Sequence, residues 1–203
     1  MRRNWIFALL LVAVFALSRV PGLMPPNFSA AYALAFCAGV YLPGAMAWYL
    51  PLGAMVATDA LLNVFWYDAA IFDARMMLKT ATFAGLIGLG RLFSPRHSWL
   101  KLLGGGLLGA VLFYIVTNFI SWLVDPGYPK TLSGLIQALT IGLPNYPPAW
   151  EFFRNTIASG GLFTGLFVGA AKLVESFEAA EDKEPAAAED TPEAEHPAEE
   201  PNA

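Results

Sequence analysis

Long apolar stretches, separated by short segments rich in Pro, Gly, Asp and aromatic residues, constrain this chain more than any other feature. About 20 apolar residues in a helix cross a hydrocarbon core of about 30 Å. In lipid, a backbone must satisfy its own hydrogen bonds, which leaves helices and closed barrels. Six stretches read as spans, at 5–20, 29–42, 44–64, 74–93, 102–123 and 150–174. The second is short and is expected to lean on its neighbours, and Pro51 is expected to kink the third. The apolar segment 131–143 is too short to span and stops at Pro144-Asn145-Tyr146-Pro147-Pro148, so it is expected to form a re-entrant or interfacial helix. The expected fold is all-α: an integral membrane bundle of about six transmembrane helices over residues 1–174, with that short helix between the fifth and sixth spans.

Composition supports the membrane reading. Hydrophobic residues make up 57% of the chain and charged residues 14%, with a mean hydropathy of +0.52, far from a soluble domain. Up to Val174 there are eleven Lys/Arg against five Asp/Glu, while 175–203 holds one Lys against eleven acids. The body is therefore basic and the Ala/Glu/Pro-rich tail acidic, and the tail is expected to be disordered because it has no apolar face to bury. The body suits a lipid bilayer or an anionic ligand; it is too weakly basic and too apolar for nucleic acid.

Arg2-Arg3 before the first span, and Arg91, Arg96, His97 and Lys101 around the loop after the fourth, place both termini in the cytoplasm of a multi-pass inner-membrane protein. Ala16-Leu17-Ser18 offers a signal-peptide cleavage site, but Arg19 and the lack of a polar region before that site favour a retained helix.

Ionisable and polar groups inside a span usually face a cavity or a partner. Asp59 with Asn63, Arg75 with Lys79, Asn118 with Ser121 and Trp122, and Asn155 with Ser159 are spaced i,i+3 or i,i+4, so each set shares one helix face. In the expected topology all of them fall in the outer halves of their spans, forming one outward-facing polar basin. Asn27 or Ser29 is expected to cap the second helix, after Pro25-Pro26, and Pro147-Pro148 repeat the device before the last span. Two helix starts with Arg75, Lys79 and Arg154 suit an anionic or amide-rich solute.

Structural readings stand beside these. Asp59 with Arg75 or Lys79 is equally a structural ion pair, Glu151 with Arg154 a helix-start pair, and Asn118 with Asn155 an interhelical contact. Trp122, Tyr128, Tyr146 and Trp150 fit an interfacial aromatic belt as well as a ligand surface. Small residues at Gly105 and Gly109, at Gly161, Gly165 and Gly169, and at Ala31, Ala35 and Gly39 suit close helix packing. Cys37 has no His to activate it and reads as a packing residue. No Ser-His constellation, His-rich metal site or phosphate-binding loop is present, so neither catalysis nor a cofactor is expected; an enzyme using Asp59 is the weakest reading.

Several ordered motifs carry a family likeness: Pro25-Pro26-Asn27-Phe28-Ser29 with Ala33-Leu34-Ala35; Leu52-Gly53-Ala54-Met55 through Asp59-Ala60-Leu61-Leu62; and Thr117-Asn118-Phe119 with Trp122. Tyr128-Pro129-Lys130-Thr131-Leu132-Ser133-Gly134-Leu135 and Phe152-Phe153-Arg154-Asn155-Thr156 belong to the same set. Over roughly 19–172 the chain resembles an uncharacterised bacterial membrane family, domain of unknown function 6580, described as transport proteins. Ser159-Gly160-Gly161 stands where the family pattern carries Gly-Asp, so an acid is missing from the basin. The family is similar in size and helix count to the substrate-binding S components of energy-coupling-factor importers. That likeness implies capture of a micronutrient near the outer face and docking on a membrane transport subunit with ATPases. S components usually carry Ala-x-x-x-Ala on the first helix, whereas Ala31 and Ala35 lie in the second span. The resulting expectation is a solute-capturing importer subunit whose ligand contacts are Asn27, Asp59, Asn63, Arg75, Lys79, Asn118, Trp122, Tyr128, Arg154, Asn155 and Ser159. The alternative is a membrane scaffold or assembly protein with no small-molecule ligand.

Overall fold

The computed structural model describes residues 2–68, 70–71, 74–144 and 146–181, with the side chains of 2–5, 74–75 and 178–181 excepted. Among them are seven α-helices and no strand: α1 (Arg2–Ser18), α2 (Ala31–Tyr41), α3 (Met46–Phe65), α4 (Ala74–Arg91), α5 (Trp99–Val124), α6 (Leu132–Thr140) and α7 (Ala149–Glu181). Three contain segments long and apolar enough to cross a bilayer: Met46–Phe65, Trp99–Val124 and Ala149–Phe177. The apolar helices Ile6–Ser18 and Ala31–Tyr41 are shorter. The protein is a helical membrane protein by this criterion of length and composition.

The short second stretch forms the centre of the bundle. Every residue of α2 from Ala31 to Val40 is buried, as its composition allows: Ala, Gly, Cys, Leu, Phe, Tyr and Val leave no strongly polar face, and the small residues let neighbouring helices close in on all sides. Eleven residues give a helix about 16 Å long, roughly half of a hydrocarbon core. α2 packs chiefly on α4, and also on α1, α3 and α5. The α2–α4 crossing depends on absent side chains: a Cβ on Gly39 would strike the Ile87 carbonyl oxygen, and one on Gly90 the Phe36 carbonyl oxygen. Gly105 of α5 makes room for the Phe36 ring, to which a Cβ would come within 2.6 Å.

α5 and α7 meet through Gly106 against Thr164 and Gly160 against the Ala110 methyl. Of the glycines expected at packing positions, Gly39 and Gly105 are thus used at close quarters. Around Gly169 there is open space.

Helix starts follow local chemistry. Ser98 Oγ accepts the Lys101 N–H at the start of α5, and Thr131 Oγ1 accepts the Gly134 N–H at the start of α6. α2 departs from the expected cap. Its N-cap is Ala30, whose N–H donates to Ser18 Oγ at 3.0 Å, while Ser29 Oγ accepts the Ala31 N–H at 3.2 Å. Asn27 lies three residues before the N-cap, at φ 60°, a left-handed conformation that Asn tolerates. α3 runs through Pro51 as one helix.

The chain divides into two units, Met1–Gly169 and Ala170–Ala203. α7 continues to Glu181, past the expected start of the structureless tail at 175. Residues 175–181 contain neither Pro nor Gly, and the Lys172–Glu175 pair at 3.2 Å supports the turn that leads into them. The rest of the acidic tail, 182–203, lies outside the described residues.

Candidate functional site

Successive long helices alternate in direction, so α1, α3 and α5 end where α2, α4 and α7 begin, and the polar side chains gather there. Asp59, near the end of α3, is only 3% exposed. Its carboxylate is shared by two cations: the Arg19 guanidinium meets Oδ1, and the Lys79 ammonium stands 2.5 Å from Oδ2. A carboxylate this deep requires such partners. Arg19 follows α1 directly, and its guanidinium also lies 5.7 Å from the centre of the Phe15 ring.

Lys79 then leads outward. It lies on the wall of a cavity of about 530 Å³, between the α4 start, the α5 end and the α6–α7 loop. The polar wall is made by Asn27, Lys79, Thr117, Asn118, Ser121, Asp125 and Tyr128, so it carries one cation and one carboxylate. Leu78, Phe113, Leu143 and Phe152 supply an apolar wall. Behind Phe113, Tyr32 and Phe83 complete an aromatic cluster, with ring centroids 4.8 Å (Tyr32–Phe113) and 5.0 Å (Phe83–Phe113) apart. Burial first, and the Asp125 carboxylate second, push the Tyr128 phenol above its ordinary value, so it remains a proton donor at neutral pH.

The cavity rim is held by side chains bonded to distant backbone. Asn155 Nδ2 donates to the Pro26 carbonyl at 2.9 Å, and the Tyr32 hydroxyl donates to the Asn27 carbonyl at 3.2 Å. Together they fix the Pro25-Pro26-Asn27 segment. The Tyr114 hydroxyl lies 2.9 Å from the Leu139 carbonyl and 3.0 Å from the Ala149 carbonyl, tying the end of α6 to the start of α7. Trp122 Nε1 donates to the Pro129 carbonyl at 2.8 Å, and the Lys130 ammonium donates to the Asp125 carbonyl at 2.6 Å.

The structure therefore sorts the expected residues. Asn27, Lys79, Asn118 and Tyr128 line the cavity, and Asp59 is joined to it through Lys79. Asn63 is not on its wall; it donates to the Ala70 carbonyl at 3.0 Å in the α3–α4 connection. Trp122 and Asn155 support the rim. Arg154 lies over the Trp150 ring at 5.3 Å, and buried Ser159 donates to the Thr156 carbonyl at 3.2 Å. The Arg75 side chain lies outside the described residues. Arg19, as a second partner of Asp59, and Thr117, on the wall, were not anticipated. Thr117 had a signal in its i,i+4 spacing to Ser121; Arg19 had none, because it sits beyond its helix and pairs across 40 residues.

The family model for DUF6580 matches residues 1–183. The chain belongs to this family. It is a family of unknown function, so membership carries the helical architecture into a named group without supplying an activity. No curated protein matches the chain.

Proposed function

We propose that this member of DUF6580 crosses the inner membrane with six helices, both termini in the cytoplasm, and captures a small solute from the outer side as the binding subunit of an importer. The observation that carries this reading is the cavity of about 530 Å³ with a mixed polar and apolar wall at one end of an otherwise apolar bundle. Its size lies in the range of small-molecule sites. α1 and α4 would be two further spans, and α2, half a core long, would complete the sixth crossing together with its flanking segments, shielded from lipid by the neighbouring helices. The proposed orientation rests on Arg2, Arg3, Arg91, Arg96 and Lys101 at the opposite end, set against Arg19, Arg75, Lys79, Lys130 and Arg154 at the cavity end; Arg91 also donates to the Leu42 and Gly44 carbonyls at 3.0 and 2.7 Å. Energy would come from a separate membrane subunit with ATPases, in the manner of S components, because this sequence carries no nucleotide-binding motif.

A single cysteine introduced at Ser121, in a Cys37→Ala background, tests the outward orientation. Labelling of intact spheroplasts by a membrane-impermeant maleimide is expected; labelling only after permeabilisation would place the cavity on the cytoplasmic side and remove capture from outside.

The scaffold reading is favoured by a different observation. Asn118 Nδ2 donates to the Tyr114 carbonyl at 2.8 Å, and Asn155 and Trp122 likewise donate to backbone, as a polar structural core would. On that reading the acidic tail recruits a basic partner, and deleting 182–203 abolishes a co-purifying protein. On the importer reading the deletion leaves solute binding unchanged.

A further inference from the structure

We propose that the cavity takes a zwitterion, a molecule whose anionic group meets Lys79 and whose ammonium meets Asp125; the inference rests on the solute-capture reading and specifies its ligand class. Among the described residues, Lys79 and Asp125 are the charged members of the cavity wall. Lys79 belongs to α4 and Asp125 caps the end of α5, and the two do not pair with each other. The Asp125 carboxylate has no cation of its own. Its Oδ1 accepts the Gly127 N–H at 2.9 Å, and no Lys or Arg pairs with either oxygen among the described residues. The Lys130 ammonium turns instead to the backbone carbonyls of Trp122 and Asp125. Asp125 is half-buried, and a carboxylate so placed costs free energy that a ligand ammonium offsets.

Lys79 supplies the complementary end. Its side chain is 35% exposed while that of Asp59 is 4% exposed, and one carboxylate does not occupy all three donors of an ammonium. Arg19 also holds Asp59, so Lys79 can meet a ligand anion while Asp59 stays paired. Charge balance then sets the net charge of the ligand. In the proposed topology Arg19, Arg75, Lys79, Lys130 and Arg154 share this end with Asp59, Asp68, Asp73, Asp125 and Glu151, five cations against five acids. A singly charged ligand unbalances that set. A zwitterion leaves it balanced and meets an opposite charge at each of its ends. Leu78, Phe113 and Phe152 offer a surface for its apolar body.

The test uses three probes with one body: 4-(aminomethyl)benzoate carries both charges, 4-methylbenzoate the anion alone and 4-methylbenzylamine the cation alone. Calorimetric titration of the full-length protein in neutral maltoside micelles gives their affinities. The zwitterion is expected to bind about ten-fold more tightly than either single-charge probe, as for one added charge-assisted hydrogen bond. Asp125→Asn keeps an oxygen for the Gly127 N–H and is expected to reduce the zwitterion to the level of the anion. Lys79→Met leaves Asp59 its pair with Arg19 and is expected to reduce the zwitterion to the level of the amine. Equal affinity of the three probes, or a zwitterion preference that survives either variant, overturns the proposal. If a compound of another charge class is nevertheless released from the purified protein, solute capture stands without the zwitterion. Binding of none of the probes, with no compound released, removes both. Phosphatidylethanolamine, whose headgroup carries a phosphate and an ammonium, separates the two sources of this chemistry. A preference abolished in nanodiscs of that lipid identifies a headgroup as the natural occupant, and one that persists identifies a free solute.

Discussion

The Lys79 ammonium stands 2.5 Å from Oδ2 of Asp59 while its side chain forms part of the cavity wall. One residue thus belongs both to the buried charge cluster and to the site open to a solute. Asp59 holds it from α3, and Arg19 holds Asp59 from the end of α1, so three elements converge on one carboxylate.

Asp59→Ala leaves two cations without their carboxylate and is expected to cost about 3 kcal/mol, in line with breaking a buried ion pair. Arg19→Met combined with Asp59→Leu removes a charge of each sign and is expected to cost less than Asp59→Ala alone. Equilibrium unfolding in mixed micelles measures both, and equal losses would show that pairing does not govern the site.

At the α2–α4 crossing the expected effect is steric. Gly39→Ala and Gly90→Ala each place a methyl group on a carbonyl oxygen of the facing helix, so each is expected to destabilise by about 1–3 kcal/mol. Gly104→Ala, where nothing lies within 4 Å, is expected to leave stability unchanged. Thermal melting of the three variants reads the difference directly.

These elements also show what the sequence made legible. α3, α5 and α7 stand out because lipid demands long apolar runs, and α6 because its run is too short to span. That the stretch of α2 leans on its neighbours was legible from its brevity, but its place at the centre of the bundle was not. Pairing of Lys79 with Asp59 was legible from the rule that buried charges take partners. Arg19 was not, because the contact depends on how α1 ends against α3. The Asn155–Pro26 bond, across 129 residues, was equally hidden: side chain to backbone, it leaves no periodic trace. Asn155 therefore read as a basin residue, although its amide supports the rim.

Removing the Tyr114 hydroxyl should loosen the rim without disturbing the core. Tyr114→Phe removes the single proton that the Leu139 and Ala149 carbonyls share, at about 1 kcal/mol in all. Hydrogen exchange is expected to quicken between the end of α6 and the start of α7, with α2 unchanged.

The two amides are expected to behave differently. Asn118→Ala removes a cavity group and should weaken solute binding with little loss of stability. Asn155→Ala frees Pro26 and should lower stability by about 1 kcal/mol, with any loss of binding following from that. Melting temperature and solute occupancy, measured on the same preparations, separate the two effects.

Mass spectrometry of the small molecules released from the purified protein tests the central claim most directly, with the Lys79→Met/Asn118→Ala variant as reference. The account predicts a compound released from the wild-type protein and missing from the variant. A compound released equally from both, or none from either, would contradict capture of a solute in this cavity and leave its polar groups as the structural core of a scaffold.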